Sequence, residues 1–319
     1  MTGNGLTAKR APSEETASPW QRLLPALLLV AALLALPPPA RAQSDVFVDA
    51  GRGLVPLHLP PAFDGVTPLP LVLNLHGYGN DGPEQQALFG LLPQSDARDF
   101  MLAIPDGEAD LFGQRFWNAT DACCDLFRRN PDDSAYLRGL IEAIAAAYPV
   151  DDLRVYVVGY SNGGFMSHRM ACDHADRVAA IATFAGAQWE DPERCLPSEA
   201  VSVAQVHGTA DQVIRYNGGC IPGSGCYPSA RQTVRTWVDI NGCNPQPQLR
   251  RPFLDLVQER PGRDTAVQEY RGCLGGAAEL WNVLGQDHFP DFEANFAEAI
   301  VDFLLSHPKP ERHGAATLP

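Results

Sequence analysis

The stretch Val155-Tyr156-Val157-Val158-Gly159-Tyr160-Ser161-Asn162-Gly163 decides the fold, because it joins a strand, a sharp turn and the start of a helix. The apolar, β-branched run before Gly159 is typical of a buried strand. Glycines two residues on either side of Ser161 relieve crowding at the turn, so the serine oxygen projects above the sheet edge. The pattern predicts a nucleophile elbow with Ser161 as nucleophile and the backbone N–H of Asn162 facing an oxyanion.

Other parts of the chain alternate between strand and helix patterns. Short apolar runs that end in glycine, proline or polar turns predict strands, at 46–59 (an edge hairpin), 69–75, 101–104, 178–184, 201–206 and 279–284. Apolar residues at helical spacing predict helices over 133–148 and 292–305. This alternation predicts an α/β class with a mostly parallel sheet, helices on both faces and a single domain over residues 43–319.

The partners of Ser161 follow from chain order. A serine hydroxyl needs a histidine base and a carboxylate that orients the base, and the order in such sheets is serine, acid, histidine. His288 lies just past the last predicted strand and is the predicted base, with a surface histidine as the alternative. Asp211 follows the strand at 201–206 by one turn and is the predicted acid. Asp287 is adjacent to the base and would point away from it.

A second oxyanion donor is expected in His76-Gly77-Tyr78-Gly79, which follows the strand at 69–75. We expect the backbone N–H of Tyr78 to be that donor and His76 to be structural, with a simple tight turn as the alternative. Several aromatic residues near predicted loops are candidates for an acyl pocket, although core packing is as good an explanation for each alone. They are Trp117, Tyr160, Trp189, Trp281 and Phe289.

The eight cysteines form an even set without a CxxC pair, which favours disulfides over a metal site in an exported chain. The expected pairs are Cys220 with Cys226, Cys243 with Cys273, and two further bonds among Cys123, Cys124, Cys172 and Cys195. Adjacent cysteines bond only through a strained ring, so we favour cross-links among these last four over a bond between neighbours. No metal and no cofactor is expected.

The N-terminus has the pattern of a secretory signal. Basic residues precede an apolar run over 23–36, and Ala40-Arg41-Ala42 matches a cleavage site, so residues 1–42 would be removed and the chain would begin near Gln43. A membrane anchor is the alternative, but about fourteen apolar residues are fewer than the roughly twenty that span a bilayer. We therefore expect a secreted, extracellular or periplasmic protein.

The charge of the chain excludes two classes of partner. The whole chain carries a formal charge of −14, and the first 42 residues include four basic and two acidic side chains, so the remainder carries −16. Such a protein is repelled by nucleic acids and by anionic membranes. We expect a monomer that acts on a small or polymeric substrate.

A set of motifs spread over most of residues 43–319 points to one family. They are Leu69-Pro70-Leu71-Val72-Leu73-Asn74-Leu75-His76-Gly77, Pro105-Asp106-Gly107, Trp117-Asn118-Ala119, Cys123-Cys124, the elbow with Gly164, His207-Gly208-Thr209-Ala210-Asp211, Asn241-Gly242-Cys243 and Asp287-His288-Phe289-Pro290. Together they resemble the secreted α/β-hydrolases known as polyhydroxybutyrate depolymerases and feruloyl or acetylxylan esterases. The resemblance implies the α/β-hydrolase fold, the triad Ser161, Asp211 and His288, and a small ester, polyester or feruloylated polysaccharide as substrate.

Two departures from this family concern the substrate. Gly285-Gln286-Asp287 stands where relatives usually carry a glycine run, and the Cys220 to Cys226 loop resembles an insertion near the acid. Polymer depolymerases also tend to carry a polymer-binding module, which we do not expect here, so soluble or short esters are favoured. The sequence predicts a serine carboxylic-ester hydrolase with an acyl-enzyme. An exopeptidase on the same fold and a non-catalytic secreted binding protein are the alternatives, the latter disfavoured because all three triad positions are kept.

Overall fold

A ten-stranded mixed sheet forms the centre of the computed structural model, which describes residues 1–2, 44–260 and 262–311. The predicted signal segment and its cleavage site near Gln43 lie outside the described residues, Met1 and Thr2 excepted. Among the described residues, no helix has both the length and the apolar character needed to cross a membrane.

The strands are numbered in chain order. They are β1 (Ser44–Asp49), β2 (Leu54–Leu59), β3 (Leu69–Leu75), β4 (Met101–Ala103), β5 (Glu108–Ala109), β6 (Arg115–Phe116), β7 (Val150–Tyr160), β8 (Ala180–Phe184), β9 (Ser202–Gly208), β10 (Gly219–Cys220), β11 (Cys226–Tyr227), β12 (Gln248–Leu249), β13 (Thr265–Tyr270) and β14 (Ala278–Val283). The helices are α1 (Gly82–Phe89), α2 (Leu92–Arg98), α3 (Asp133–Ala147), α4 (Asn162–Asp173), α5 (Ala230–Ile240) and α6 (Asn295–Leu305).

The sheet has six parallel strands in its middle and antiparallel strands at both edges. Its order is β1-β2-β4-β3-β7-β8-β9-β14-β13-β12. Neighbours from β4 to β14 run parallel, while β1, β2, β13 and β12 pair antiparallel. The carboxyl ends of the parallel strands therefore meet along one edge, where open α/β sheets bind ligands.

Two apolar cores lie on the two faces of the sheet. One contains buried side chains of α3, α4 and α5, and the other contains those of α1 and α6. Central strands contribute to both, because successive residues point to opposite faces: Val155 and Val157 lie in the first core, Tyr156 and Val158 in the second. The predicted fold class, with helices on both faces of a mostly parallel sheet, is confirmed.

The predicted strands and helices are present with end points shifted by a few residues, and the edge hairpin is β1 with β2. The short elements α1, α2 and the β5–β6 hairpin were not predicted. Helix α1 begins at a capping box in which Asp81 and Glu84 each accept a hydrogen bond from the other's backbone N–H. Its eight residues carry little apolar periodicity, so the capping residues were the feature of the sequence that could have predicted this helix.

The cysteines form four disulfides, and none among the described residues is free. The two pairs expected from loop positions, Cys220–Cys226 and Cys243–Cys273, are present. The other four pair as Cys172–Cys195 and as the adjacent Cys123–Cys124. The preference for cross-links over a bond between neighbours was therefore wrong. Cys172 ends α4 close to the loop of Cys195, which leaves the two neighbours to each other.

Candidate active site

Ser161 occupies the turn between β7 and α4 with a positive φ, at φ +52° and ψ −115°. Few L-residues adopt this conformation, and it persists only where the surroundings enforce it. Here the helix packs so tightly under the strand that a Cβ on Gly159 would overlap the carbonyl oxygen of Gly163, and one on Gly163 would overlap that of Leu75. These glycines are required by close backbone approach, which is the physical basis of the elbow.

The structure brings Ser161, His288 and Asp211 together at the carboxyl edge of the sheet. His288 Nε2 lies 3.0 Å from Ser161 Oγ, and His288 Nδ1 lies 2.8 Å from Asp211 Oδ2. Asp211 follows β9 and His288 follows β14, so three different parallel strands supply the three groups. All three residues are buried to more than nine-tenths. The arrangement gives the serine a base in hydrogen-bond reach and the base an orienting carboxylate.

The carboxylate of Asp211 is held on both oxygens. Its Oδ1 accepts hydrogen bonds from the backbone N–H groups of Val213 at 2.8 Å and Ile214 at 2.9 Å. Its Oδ2 faces His288 and lies 3.5 Å from Nε2 of His207. Burial raises the pKa of this carboxyl, but the neighbouring imidazoles of His207 and His288 outweigh burial and lower the pKa to about 2. Asp211 is therefore ionised at neutral pH.

The loop that carries His288 is fixed by Tyr160. The phenol of Tyr160 donates to the His288 carbonyl at 2.9 Å, and the two rings lie 5.2 Å apart. Asp287 does not contact the imidazole; its Oδ1 accepts from the N–H of Phe289 at 3.0 Å. The two acidic candidates therefore have different partners, and Tyr160 holds the backbone of His288.

The loop after β3 lies directly against the nucleophile. A Cβ built on Gly77 would be 3.6 Å from Cβ of Ser161. Among the described residues, the N–H groups of Tyr78 and Asn162 have no protein acceptor, and Asn162 is the first residue of α4, where N–H groups have no partner within the helix. These are the two groups predicted as oxyanion donors, and their placement beside Ser161 is compatible with that role.

Buried polar contacts hold this loop in place. His76 Nδ1 donates to the Gly77 carbonyl at 2.7 Å, and its Nε2 accepts from the N–H of Gly107 at 2.9 Å. Burial lowers the pKa of His76, which is consistent with a neutral ring that donates at one nitrogen and accepts at the other.

Trp117 is fully buried and donates from Nε1 to the His76 carbonyl at 3.1 Å. Its backbone is held by the side chain of Asn162. Trp117 therefore supports the loop and presents no ring face to a substrate.

The remaining aromatic candidates differ in exposure. Phe289 is 70% exposed beside His288, with ring centroids 5.1 Å apart. Trp189 and Trp281 are buried, and each is covered by a guanidinium group, from Arg194 and Arg250 respectively. Of the acyl-pocket candidates, Phe289 alone presents a large surface next to the triad.

Six exposed apolar side chains, called here the apolar rim, were missed by the sequence analysis. Two lie in the loops of Asp211 and His288, and four lie in the β5–β6 turn and in the segment at 126–127 that packs on it. The members of the rim are exposed, large and apolar, and they are Leu111, Phe112, Leu126, Phe127, Val213 and Phe289. The turn of the β5–β6 hairpin carries Phe112, and its Asp110 accepts from the Tyr78 phenol at 2.5 Å. This contact, with burial as the larger cause, raises the pKa of Tyr78 to about 12. Phe112 and Phe127 pack edge to face at 5.4 Å. Leu111 and Phe112 are apolar residues in a turn with polar neighbours, and this pattern in the sequence could have predicted an exposed apolar surface.

A mostly parallel sheet with an elbow serine, a histidine and a carboxylate at its carboxyl edge defines an α/β-hydrolase. The acetyl xylan esterase from Aspergillus awamori superposes with a TM-score of 0.59, covering 83% of this chain and 99% of that one at 14% identity. This likeness confirms the fold.

Two relatives confirm the resemblance to feruloyl esterases. Feruloyl esterase B of Piromyces equi is 28% identical over 224 residues, covering 68% of this chain and 39% of the relative. Feruloyl esterase D of Neurospora crassa is 29% identical over 203 residues, covering 63% and 58%. The chain thus spans less than two thirds of either relative. No family model matches the chain.

Proposed function

We propose that this protein is a serine carboxylic-ester hydrolase that works through an acyl-enzyme. The hydrogen-bonded series Ser161–His288–Asp211 at the elbow is the observation that carries the proposal. Relatives named feruloyl esterases and a structural neighbour named acetyl xylan esterase support ester hydrolysis as the reaction.

The proposed mechanism follows from the geometry. His288 Nε2 takes the proton of Ser161 as Oγ attacks the ester carbonyl carbon, and ionised Asp211 stabilises the resulting imidazolium. The N–H groups of Tyr78 and Asn162 bind the oxyanion. His288 then returns the proton to the departing alkoxide, which leaves the acyl group on Ser161. A water molecule, deprotonated by His288, attacks the acyl-enzyme and releases the acid.

The proposed substrates are short-acyl esters, hydroxycinnamoyl esters and short hydroxybutyrate oligomers. The apolar rim supports this choice, because exposed Phe289 lies beside the His288 ring. Phe112 and Phe127, in segments tied to Tyr78 through Asp110, offer further ring faces and edges to an apolar or aromatic acyl group. The names of the relatives agree with a feruloyl group.

We further propose export of the protein after cleavage near Gln43. Four disulfides support an oxidising compartment, since such bonds are rare in the reducing cytosol. N-terminal sequencing of protein recovered outside the cytoplasm tests this. An intact N-terminus with reduced cysteines would contradict export.

The variant Ser161→Ala tests the nucleophile. We expect loss of ester hydrolysis to below about a hundredth of the wild-type kcat, with unchanged folding, because alanine fits the elbow but carries no hydroxyl. Labelling by a fluorophosphonate should be lost in parallel. Ser306→Ala, which removes a hydroxyl at the end of α6, is the matched control and should keep both activities. Retained hydrolysis in a folded Ser161→Ala protein would point to another nucleophile.

A further inference from the structure

A series of buried side chains behind the triad is not used by the proposed chemistry. It starts at Trp237 on α5 and passes through His168 on α4 and then Gln205 and His207 on β9. Each of the four residues is at most 1% exposed. The successive donor–acceptor distances are 3.1 Å from Trp237 Nε1 to His168 Nδ1, 2.8 Å from His168 Nε2 to Gln205 Oε1, 3.1 Å from Gln205 Nε2 to His207 Nδ1, and 2.7 Å from His207 Nε2 to the Ile214 carbonyl.

The chemistry of its two ends fixes the direction of every hydrogen bond in this series. An indole N–H can only donate and a carbonyl oxygen can only accept. His168 must therefore accept at Nδ1 and donate from Nε2 to the Gln205 carbonyl oxygen. The amide of Gln205 then donates to Nδ1 of His207, which leaves the His207 proton on Nε2. All donors point from Trp237 towards the loop of the catalytic acid.

The series ends at the turn that holds Asp211. His207 Nε2 donates a hydrogen bond to the carbonyl oxygen of Ile214, and the backbone N–H of Ile214 donates to Asp211 Oδ1 at 2.9 Å. His207 Nε2 also lies 3.5 Å from Asp211 Oδ2, the oxygen that faces His288. A shift of this turn would move both carboxylate oxygens relative to the base.

We propose that His207 is a positioning residue for the catalytic acid, and that Gln205 holds His207 in the Nε2–H form that this role needs. The proposal rests on the proposed function, because it assigns a role within the same triad. His207 touches neither substrate nor the reacting atoms; it acts by fixing the turn from Asp211 to Ile214. Since small misplacements of catalytic groups cost large factors in rate, the effect should fall on kcat.

A purely structural role would give a different result. A buried polar series that only stabilises the core would, when broken, lower the free energy of unfolding and leave kcat of the folded enzyme unchanged. His58 is a suitable comparison, because it is also buried and bonds two carboxylates, those of Asp45 at 2.9 Å and Asp96 at 2.8 Å, on β2 in the edge hairpin.

The test compares kcat, KM and unfolding of four variants with a soluble aryl ester as substrate. His207→Phe keeps a ring but removes the donor, and we expect kcat to fall about tenfold or more with KM changed less than twofold. His207→Gln restores an amide donor and should recover most of kcat. Gln205→Met has a similar length but no amide to donate to His207 Nδ1, so nothing keeps the His207 proton on Nε2 and kcat should fall. His58→Phe should lose stability alone.

Two outcomes would overturn the proposal. Wild-type kcat in folded His207→Phe contradicts it, and where that variant does not fold, wild-type kcat in Gln205→Met contradicts it equally. A loss of kcat in His58→Phe as large as in His207→Phe would assign the effect to general loosening of the core. The Ser161→Ala variant distinguishes failure of the proposed function from failure of this inference. If Ser161→Ala keeps its activity, the proposed function is wrong. If Ser161→Ala is inactive but the His207 and Gln205 variants keep wild-type kcat, only this inference is wrong.

Discussion

At the scale of single residues, the two neighbouring acidic candidates have different surroundings. Asp211 receives two backbone N–H groups on one oxygen and the imidazole of His288 on the other. The carboxylate of Asp287 accepts a hydrogen bond from the N–H of Phe289 in its own loop. The His288 imidazole is therefore hydrogen-bonded to the carboxylate that is 77 positions away in sequence and not to the adjacent one.

We predict that Asp211→Asn lowers kcat for ester hydrolysis by about a hundredfold or more, while Asp287→Asn changes it little. An amide at position 211 can donate to His288 Nδ1 and so favours the wrong tautomer of the base, as in other triads. Steady-state kinetics on one soluble ester, with unfolding curves for both variants, measures the difference. Equal losses, or a larger loss in Asp287→Asn, would reverse the assignment.

The sequence predicted the three triad positions because each follows a strongly apolar strand, and strand ends are readable from local composition. It could not predict His207 as a contact of Asp211, since that contact depends on how the turn folds back over β9. The sequence also could not predict the full burial of Trp117, because the backbone of Trp117 is held by the side chain of Asn162, which is 45 positions away in sequence. Tertiary contacts of this kind leave no periodic signal.

At the scale of secondary-structure elements, the β5–β6 hairpin connects the oxyanion loop to the apolar rim. The carboxylate of Asp110 accepts from Tyr78 and from the N–H groups of Phe112 and Gln114, so these hydrogen bonds attach the hairpin turn to the loop after β3. Phe112 is nonetheless 75% exposed. We propose that this exposed ring, on a turn joined to the loop that contacts Ser161, contacts the acyl group of the substrate.

We predict that Phe112→Ser lowers kcat/KM for a hydroxycinnamoyl ester several-fold but changes that for an acetyl ester little, because an aromatic contact is worth about 1 kcal/mol. Phe47→Ser is the matched control, since Phe47 is also exposed, at 58%, but lies on the edge strand β1. Parallel kinetics on the two esters gives the ratio for each variant. An unchanged ratio in Phe112→Ser would remove this side chain from substrate selection.

At the scale of the whole molecule, strong negative charge and a small apolar surface at the site occur together. Residues 43–319 carry a formal charge of −16, while three of the four exposed phenylalanines among the described residues lie in the apolar rim. The largest apolar patches of soluble proteins cover a few hundred Å² and often serve in binding. We therefore propose that the six side chains of the rim bind a single aromatic ring or a short oligomer in preference to an extended solid surface.

We predict that soluble short-acyl or hydroxycinnamoyl esters and short hydroxybutyrate oligomers are cleaved faster than crystalline polyester. Adsorption to a solid has to hold the enzyme through many turnovers, and the six side chains of the rim offer few contacts for that. Initial rates on soluble esters, clearing of a polymer suspension and sedimentation with polymer granules measure the three behaviours on one preparation. The inactive Ser161→Ala protein serves as the control for granule binding without turnover. Tight granule binding and rapid clearing, together with negligible activity on soluble esters, would show that the rim suffices for adsorption and that solid polyester is the better substrate.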